Sequence, residues 1–173
     1  MLTIHKPDPA ELSTYYQSYL KDVPEENVLE ALMLQKDAGL NFLKTIPESK
    51  ASFAYAPGKW SLKEVVGHLC DAERILAYRA LRFSRNDKTP LPGFEENDYT
   101  PNSNYSSRTL SGIGEEFKVV GESSIHLFKN MSEEMFDRKG TASNNTVSVR
   151  ALLFFIVGHE RHHLRIIRER YLS

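Results

Sequence analysis

The spacing of apolar positions is helical along nearly the whole chain. Leu12, Tyr15, Tyr16, Tyr19 and Leu20 recur at threes and fours after Asp8-Pro9-Ala10-Glu11, in which Asp8 is an N-cap, Pro9 opens the helix and Glu11 completes a capping box. This predicts a short helix over about 9–20. Asp22-Val23-Pro24-Glu25 repeats the start signal, and Val28, Leu29, Leu32, Met33, Phe42, Leu43 and Ile46 define a second amphipathic helix that Pro47 stops. A polar connection over 48–59 leads to Trp60 and to Ser61-Leu62-Lys63-Glu64, a strong capping box. The third helix runs from there to about Phe83. Leu62, Val65, Val66, Leu69, Ala72, Leu76 and Ala80 form its buried face, with His68 among them, while Lys63, Arg74, Arg79 and Arg82 are expected elsewhere.

Residues 86–107 carry Pro90, Pro92, Gly93 and Pro101 and form the main irregular stretch, either a lid over a site or a crossover between helices. From about Ser107 to near Met131, Leu110, Ile113, Phe117, Val120, Ser124 and Leu127 predict another helix. A brief helical turn at Ser132 and a polar turn region from Lys139 to Asn145 precede the last helix, which starts at Ser148. On it, Leu152, Ile156, His159, His163, Ile166 and Arg170 form one stripe, and Leu153, Val157, Glu160, Leu164, Ile167 and Tyr171 its neighbour. The fold class is all-α. Four substantial helices, a short extra N-terminal one and no strand pattern predict a four-helix bundle in one domain over 1–173, its core at about 25–172.

Composition removes alternatives more than it adds them. With 40% apolar and 26% charged residues and a net charge of −1, the chain has neither the field nor the basic stripe of a nucleic-acid-binding protein. No run is long and apolar enough for a membrane span, the start lacks the run of a signal peptide, and a lone Cys70 excludes an internal disulfide. A cytoplasmic protein is expected.

The candidate chemistry lies in Gly158-His159-Glu160-Arg161-His162-His163, which spells H-E-x-x-H. His159 and His163 stand one helical turn apart and can grip one ion. A metalloprotease needs a third ligand downstream, but the residues after His163 contain neither the further histidine nor another acidic helix. The third ligand must come from upstream. His68, on the apolar face of another helix, supplies a third imidazole, and three buried imidazoles without a common partner would cost about 1–3 kcal/mol for each unsatisfied group. Three ligands leave a position open for water or substrate. Glu160 is the acid-base candidate. Glu64, one turn before His68, and His162, beside His163, are candidates to support the ligands from outside. Arg161, Arg165 and Arg168 complement the C-terminal end of the last helix or hold carboxylates of an anionic thiol.

Trp60-Ser61-Leu62-Lys63-Glu64-Val65-Val66-Gly67-His68-Leu69 and Gly158-His159-Glu160-Arg161-His162-His163-Leu164 resemble the two motifs of the DinB/YfiT-like family, and the resemblance runs from about Glu25 to Leu172 through the Leu91-Pro92-Gly93-Phe94 loop. It implies an antiparallel four-helix bundle, often a homodimer, holding a divalent metal on His68, His159 and His163. Zinc or nickel suits three imidazoles best, and manganese is an alternative. The family includes thiol-dependent S-transferases and proteins described as metal-dependent hydrolases. The expected partner is therefore a small-molecule substrate, with a low-molecular-weight thiol such as bacillithiol in the transferase case. The alternatives are hydrolysis by a water that the ion activates, and a non-catalytic metal-binding stress-response protein.

Overall fold

The computed structural model describes residues 4–173. Four long helices form the bundle: α2 (Val28–Lys44), α3 (Leu62–Ser84), α5 (Leu110–Lys129) and α7 (Val149–Ile166). Around them lie α1 (Thr14–Leu20), α4 (Glu96–Asn102), α6 (Glu133–Asp137) and a hairpin of β1 (Lys139–Ala142) and β2 (Asn145–Ser148). The last turn, Ile167–Tyr171, widens to π geometry. Among the described residues no helix is long and apolar enough to cross a membrane.

The packing order differs from the chain order. Each of α2 and α3 packs against both α5 and α7, so consecutive α2 and α3 sit diagonally, as do α5 and α7. Side-chain pairs give the directions. Lys36 meets Gly121 while Leu40 meets Gly114, so α2 and α5 are antiparallel. The N-terminal end of α3 meets the C-terminal end of the chain, where the Tyr171 hydroxyl donates to the Trp60 carbonyl at 2.8 Å, so α3 and α7 are antiparallel too. By contrast, Lys63 reaches the Arg108 carbonyl and Arg74 pairs with Glu116, which makes α3 and α5 parallel neighbours.

Parallel neighbours need a connection as long as the helices themselves. Residues 85–109 are that crossover, and they return along α3: the Pro92 carbonyl lies by Arg79, the Tyr105 hydroxyl donates to Asp71 at 2.8 Å, and Arg108 lies by Lys63. Tyr105 packs flat against Gly67, where an added Cβ would lie 2.3 Å from ring carbons. Gly67→Ala is therefore expected to lose about 1–3 kcal/mol by overpacking, read as a lower urea midpoint at unchanged slope.

Capping chemistry sets the helix starts. Asn27 accepts from the Glu30 N–H at 3.2 Å, and Ser148 accepts from Ala151 at 3.1 Å, as its place before the last helix predicts. At α3, Glu64 reaches back to both the N–H and the hydroxyl of Ser61 at 2.7 Å. Three expectations need correction. The helix expected over 9–20 is broken: the capping box closes a single 3-10 turn, Pro9–Glu11, and Leu12 is extended with φ −154 before α1 begins. Glu11 keeps one carboxylate oxygen on the Asp8 N–H at 3.0 Å and accepts with the other from Arg150 at 3.0 Å, in the first turn of α7. The second helix starts at Val28, because Asp22 and Glu25 serve as acceptors for Arg165 and Arg161. The region 139–145 is part of a hairpin, turned by Ser143 and Asn144 with φ 52 and 61, the two-residue turn that suits strand twist.

Candidate metal centre

His68 projects from the second turn of α3, and His159 and His163 project from successive turns of α7, which crosses it antiparallel. His159 Nε2 lies 3.2 Å from His68 Nε2 and 3.1 Å from His163 Nε2. Among the described residues these three form the group of histidine, cysteine and acidic side chains whose donor atoms lie close enough together, within 4.8 Å, to hold one ion. Zinc–nitrogen bonds of about 2.0–2.1 Å in a tetrahedral shell would set neighbouring donors about 3.3 Å apart, so the spacing suits a first-row cation.

The protonation states suit it as well. Burial pushes His68 down to about 4 and His163 to about 3, and it holds His159 well below its ordinary range, with the neighbouring imidazoles adding to the effect. All three rings are neutral at pH 7. Three Nε2 atoms converge, and the central one cannot donate to both neighbours because a neutral ring carries one N–H. A cation accepts all three lone pairs at once.

The surroundings hold the rings in place. Trp60 packs on His68 at 5.0 Å between ring centroids, and Phe155 and Tyr19 pack on His159 at 5.4 and 5.7 Å. At Gly158 an added Cβ would lie 2.5 Å from the Tyr19 carbonyl oxygen, so the glycine of the motif lets α1 come close enough to bring Tyr19 onto the site.

Two cavities reach the histidines. One, of about 300 Å³, is lined by His68 and His159 with Tyr15, Tyr16, Leu76 and Phe155. The other, of about 230 Å³, is lined by His163 with Tyr55, Trp60 and Tyr171. The crossover contributes to both, through Phe94 and Glu96 on one side and Asn97 on the other. Residues 85–109 thus join two parallel helices and also wall the site.

The remaining candidates lie differently. Glu160 points away from the imidazoles into the core, 2% exposed, and bonds to Lys36 Nζ, which also bonds to Glu73. Burial raises the Glu160 pKa against the opposing pull of Lys36. Glu64 accepts from the N–H and the hydroxyl of Ser61 rather than from His68. His162 stacks edge-on against Tyr19 and meets Arg165 at 3.3 Å, outside the three-ring group. The arginines of the last helix do not serve this site: Arg161 forks onto Glu25 at 2.7 and 2.8 Å, Arg168 lies over Phe42, and both line a separate groove of about 450 Å³. Cys70 is buried with its thiol pushed up to about 12, which leaves it inert at neutral pH.

Two residues escaped the sequence reading. Lys36 continues the stripe of Leu32, Leu40 and Leu43, and that position is the signal that it would be buried. Arg79, expected off the apolar face of α3, is 2% exposed on it.

A helical bundle with three converging neutral imidazoles and an open approach from two sides defines a class of metal-binding bundle proteins. The chain belongs to the DinB superfamily, whose model matches residues 32–167. A protein of Oceanobacillus iheyensis provisionally named a metal-dependent hydrolase, OB0413, is 25% identical over 134 residues, 73% of each chain. YfiT from Bacillus subtilis, described as a probable metal-dependent hydrolase with an unusual four-helix bundle topology, is similar with a TM-score of 0.69 at 19% identity, over 95% of this chain and 90% of its own. A mycothiol-dependent maleylpyruvate isomerase is similar with a TM-score of 0.67 at 14% identity, over 84% of this chain and 61% of its own. At such identities these structures speak for the fold.

Proposed function

We propose that the protein is a divalent-metal-dependent transferase that joins a low-molecular-weight thiol to an electrophilic small molecule, with the cation, zinc or nickel, held by His68, His159 and His163. A bound cation of this kind stabilises the anionic form of a thiol, which makes it a nucleophile at neutral pH. The thiol S–H gives its proton to solvent, a sulfur–carbon bond forms, and the bond from that carbon to its leaving group breaks, the leaving group departing with the electron pair. The observation that carries the reading is that two separate cavities reach the histidine group, one at His68 and His159 and one at His163, because transfer between two molecules needs two approaches. The thiol-dependent isomerase of the same fold supports it.

The chain's own residues orient the reactants and limit water. Trp60 shields the His68 ring and Phe155 the His159 ring, and Tyr15 and Tyr16 line the cavity at those two rings. Hydrolysis is the second reading, favoured by the names of OB0413 and YfiT. Its base would be Glu160, and that carboxylate is committed to Lys36.

The test uses protein loaded with zinc or nickel and 1-chloro-2,4-dinitrobenzene as a model electrophile. Chloride release that requires added thiol, saturates with it and is lost in His68→Ala is the expected result. Release at an equal rate without thiol would replace transfer by hydrolysis. If His68→Ala lowers stability while the parent turns over neither way, the metal is structural.

A further inference from the structure

The stripe of α3 that begins with His68 ends in a buried cation. Ala72, Leu76 and Arg79 follow His68 along the helix, and all four line the same cavity of about 300 Å³. Eleven residues of α-helix advance about 16 Å and return to within about 20° of the starting direction, so Arg79 lies on the face of His68 three turns away. Its side chain leans back toward the N-terminus of the helix, and hence toward the histidines. The wall between the two ends is apolar or aromatic, formed by Ala72, Leu76, Phe94 and Phe155 with the rings of Tyr15 and Tyr16.

The guanidinium has no carboxylate partner among the described residues. Its acceptors are neutral: the Tyr16 hydroxyl at 3.3 Å, the Pro92 carbonyl at 2.9 Å and the Ser143 hydroxyl at 3.1 Å. The neighbouring arginines of α3 show the contrast, since Arg74 is paired with Glu116 and Arg82 with Asp87, both at the surface. Glu96 lines the cavity but forms no ion pair with Arg79, and it is half-buried on the crossover. A buried charge left without a counter-charge is costly, and the three neutral acceptors take three of the five guanidinium N–H donors, which leaves two for a ligand. Those acceptors, from α1, the crossover and the hairpin turn, hold the guanidinium in place before any ligand arrives, which lowers the ordering cost of binding.

We propose that Arg79 docks the carboxylate of a small organic acid that reacts at the histidines, its apolar body lying along Leu76 and Phe155. This rests on the histidine centre being where reaction occurs, and it names the substrate class of that site. Arg79 is a binding and specificity residue, three turns from the reacting atoms.

Metal-free protein tests this without the metal reading. Binding of 3-phenylpropanoate and of 3-phenylpropanamide is measured by calorimetry and by the Arg79 side-chain N–H signal in NMR. The acid is expected to bind at least about tenfold more tightly than the amide and to shift that signal. Arg79→Gln should abolish the preference and Arg79→Lys should retain part of it, as loss of a charge-assisted pair predicts. Glu96→Gln should tighten acid binding by removing an anion from the cavity. Equal binding of acid and amide to the unaltered protein would overturn the proposal, as would a preference that survives Arg79→Gln. If Arg79→Gln does not fold, the acid–amide comparison and the NMR signal decide alone. Zinc-loaded protein then assigns the source of the carboxylate. A preference for 3-mercaptopropanoate over its amide that Arg79→Gln removes places it on the thiol. Equal binding of those two, with 3-phenylpropanoate still bound beside them, places it on the acceptor.

Discussion

His159→Ala is expected to lose its metal almost completely, falling from close to one ion per chain to trace by elemental analysis of the purified protein. Its Nε2 is the middle donor, 3.2 Å from one partner and 3.1 Å from the other, and the two rings that remain come from different helices. Outer partners of metal ligands are each worth roughly 10–100-fold in affinity, so removal of the central ligand should exceed about 100-fold. A second readout is thermal. A ligand that binds only the native state adds about 4 kcal/mol at a thousand times its Kd, so zinc should raise the melting temperature of the parent and leave His159→Ala unmoved. His163→Ala should behave in the same way. Full stoichiometric metal in both variants would show that the ion is held elsewhere.

Lys36→Met is expected to be the most destabilising single change in the core. Lys36 is 6% exposed and bonds to two carboxylates, Glu73 at 5% and Glu160 at 2%, drawn from the two helices that carry the histidines. One oxygen of each carboxylate already has no hydrogen-bond partner among the described residues. Taking away the shared cation leaves two buried anions facing each other, and breaking a buried pair costs about 3–5 kcal/mol. Urea unfolding should show that loss. Replacing all three together, Lys36→Met with Glu73→Leu and Glu160→Leu, should recover most of it, because an apolar cluster of similar volume needs no counter-charge. If the triple variant is as unstable as Lys36→Met alone, the lost stability comes from packing against Phe117, 4.4 Å below the ammonium, and not from charge.

These two sites also show how far the chain could be read before its structure was known. His159 and His163 are legible because their relation is local, one turn of one helix, and His68 because a polar ring on an apolar face stands out. Arg79 obeys the same helical arithmetic from His68, yet its charge argued for the surface, and what keeps it inside comes from Tyr16, Pro92 and Ser143 on other elements. Lys36 was silent for a similar reason, since Glu73 and Glu160 lie far from it in sequence. The apparent protease glutamate took its meaning from that pairing. The capping boxes at Asp8 and Ser61 were visible, but the extended backbone at Leu12 that limits the first to a single turn has no local sequence signal. The hairpin was missed because strands of four residues are too short to display an alternation.

The packing order of the helices bears on how the protein acquires its fold. In an up-and-down bundle each helix meets its successor across a short turn, and such local hairpins can form early. Here α2 and α3 are diagonal, α5 and α7 are diagonal, and the sequential neighbours α3 and α5 are joined only by the whole of residues 85–109. Among the described residues no two consecutive long helices pack as an antiparallel hairpin that could serve as a local nucleus, so the contact order is high for an all-helical chain and refolding should be slow for this class. The three imidazoles converge only after that long-range assembly. Metal uptake in a stopped-flow refolding experiment should therefore lag helix formation and coincide with the final packing of α7 on α3.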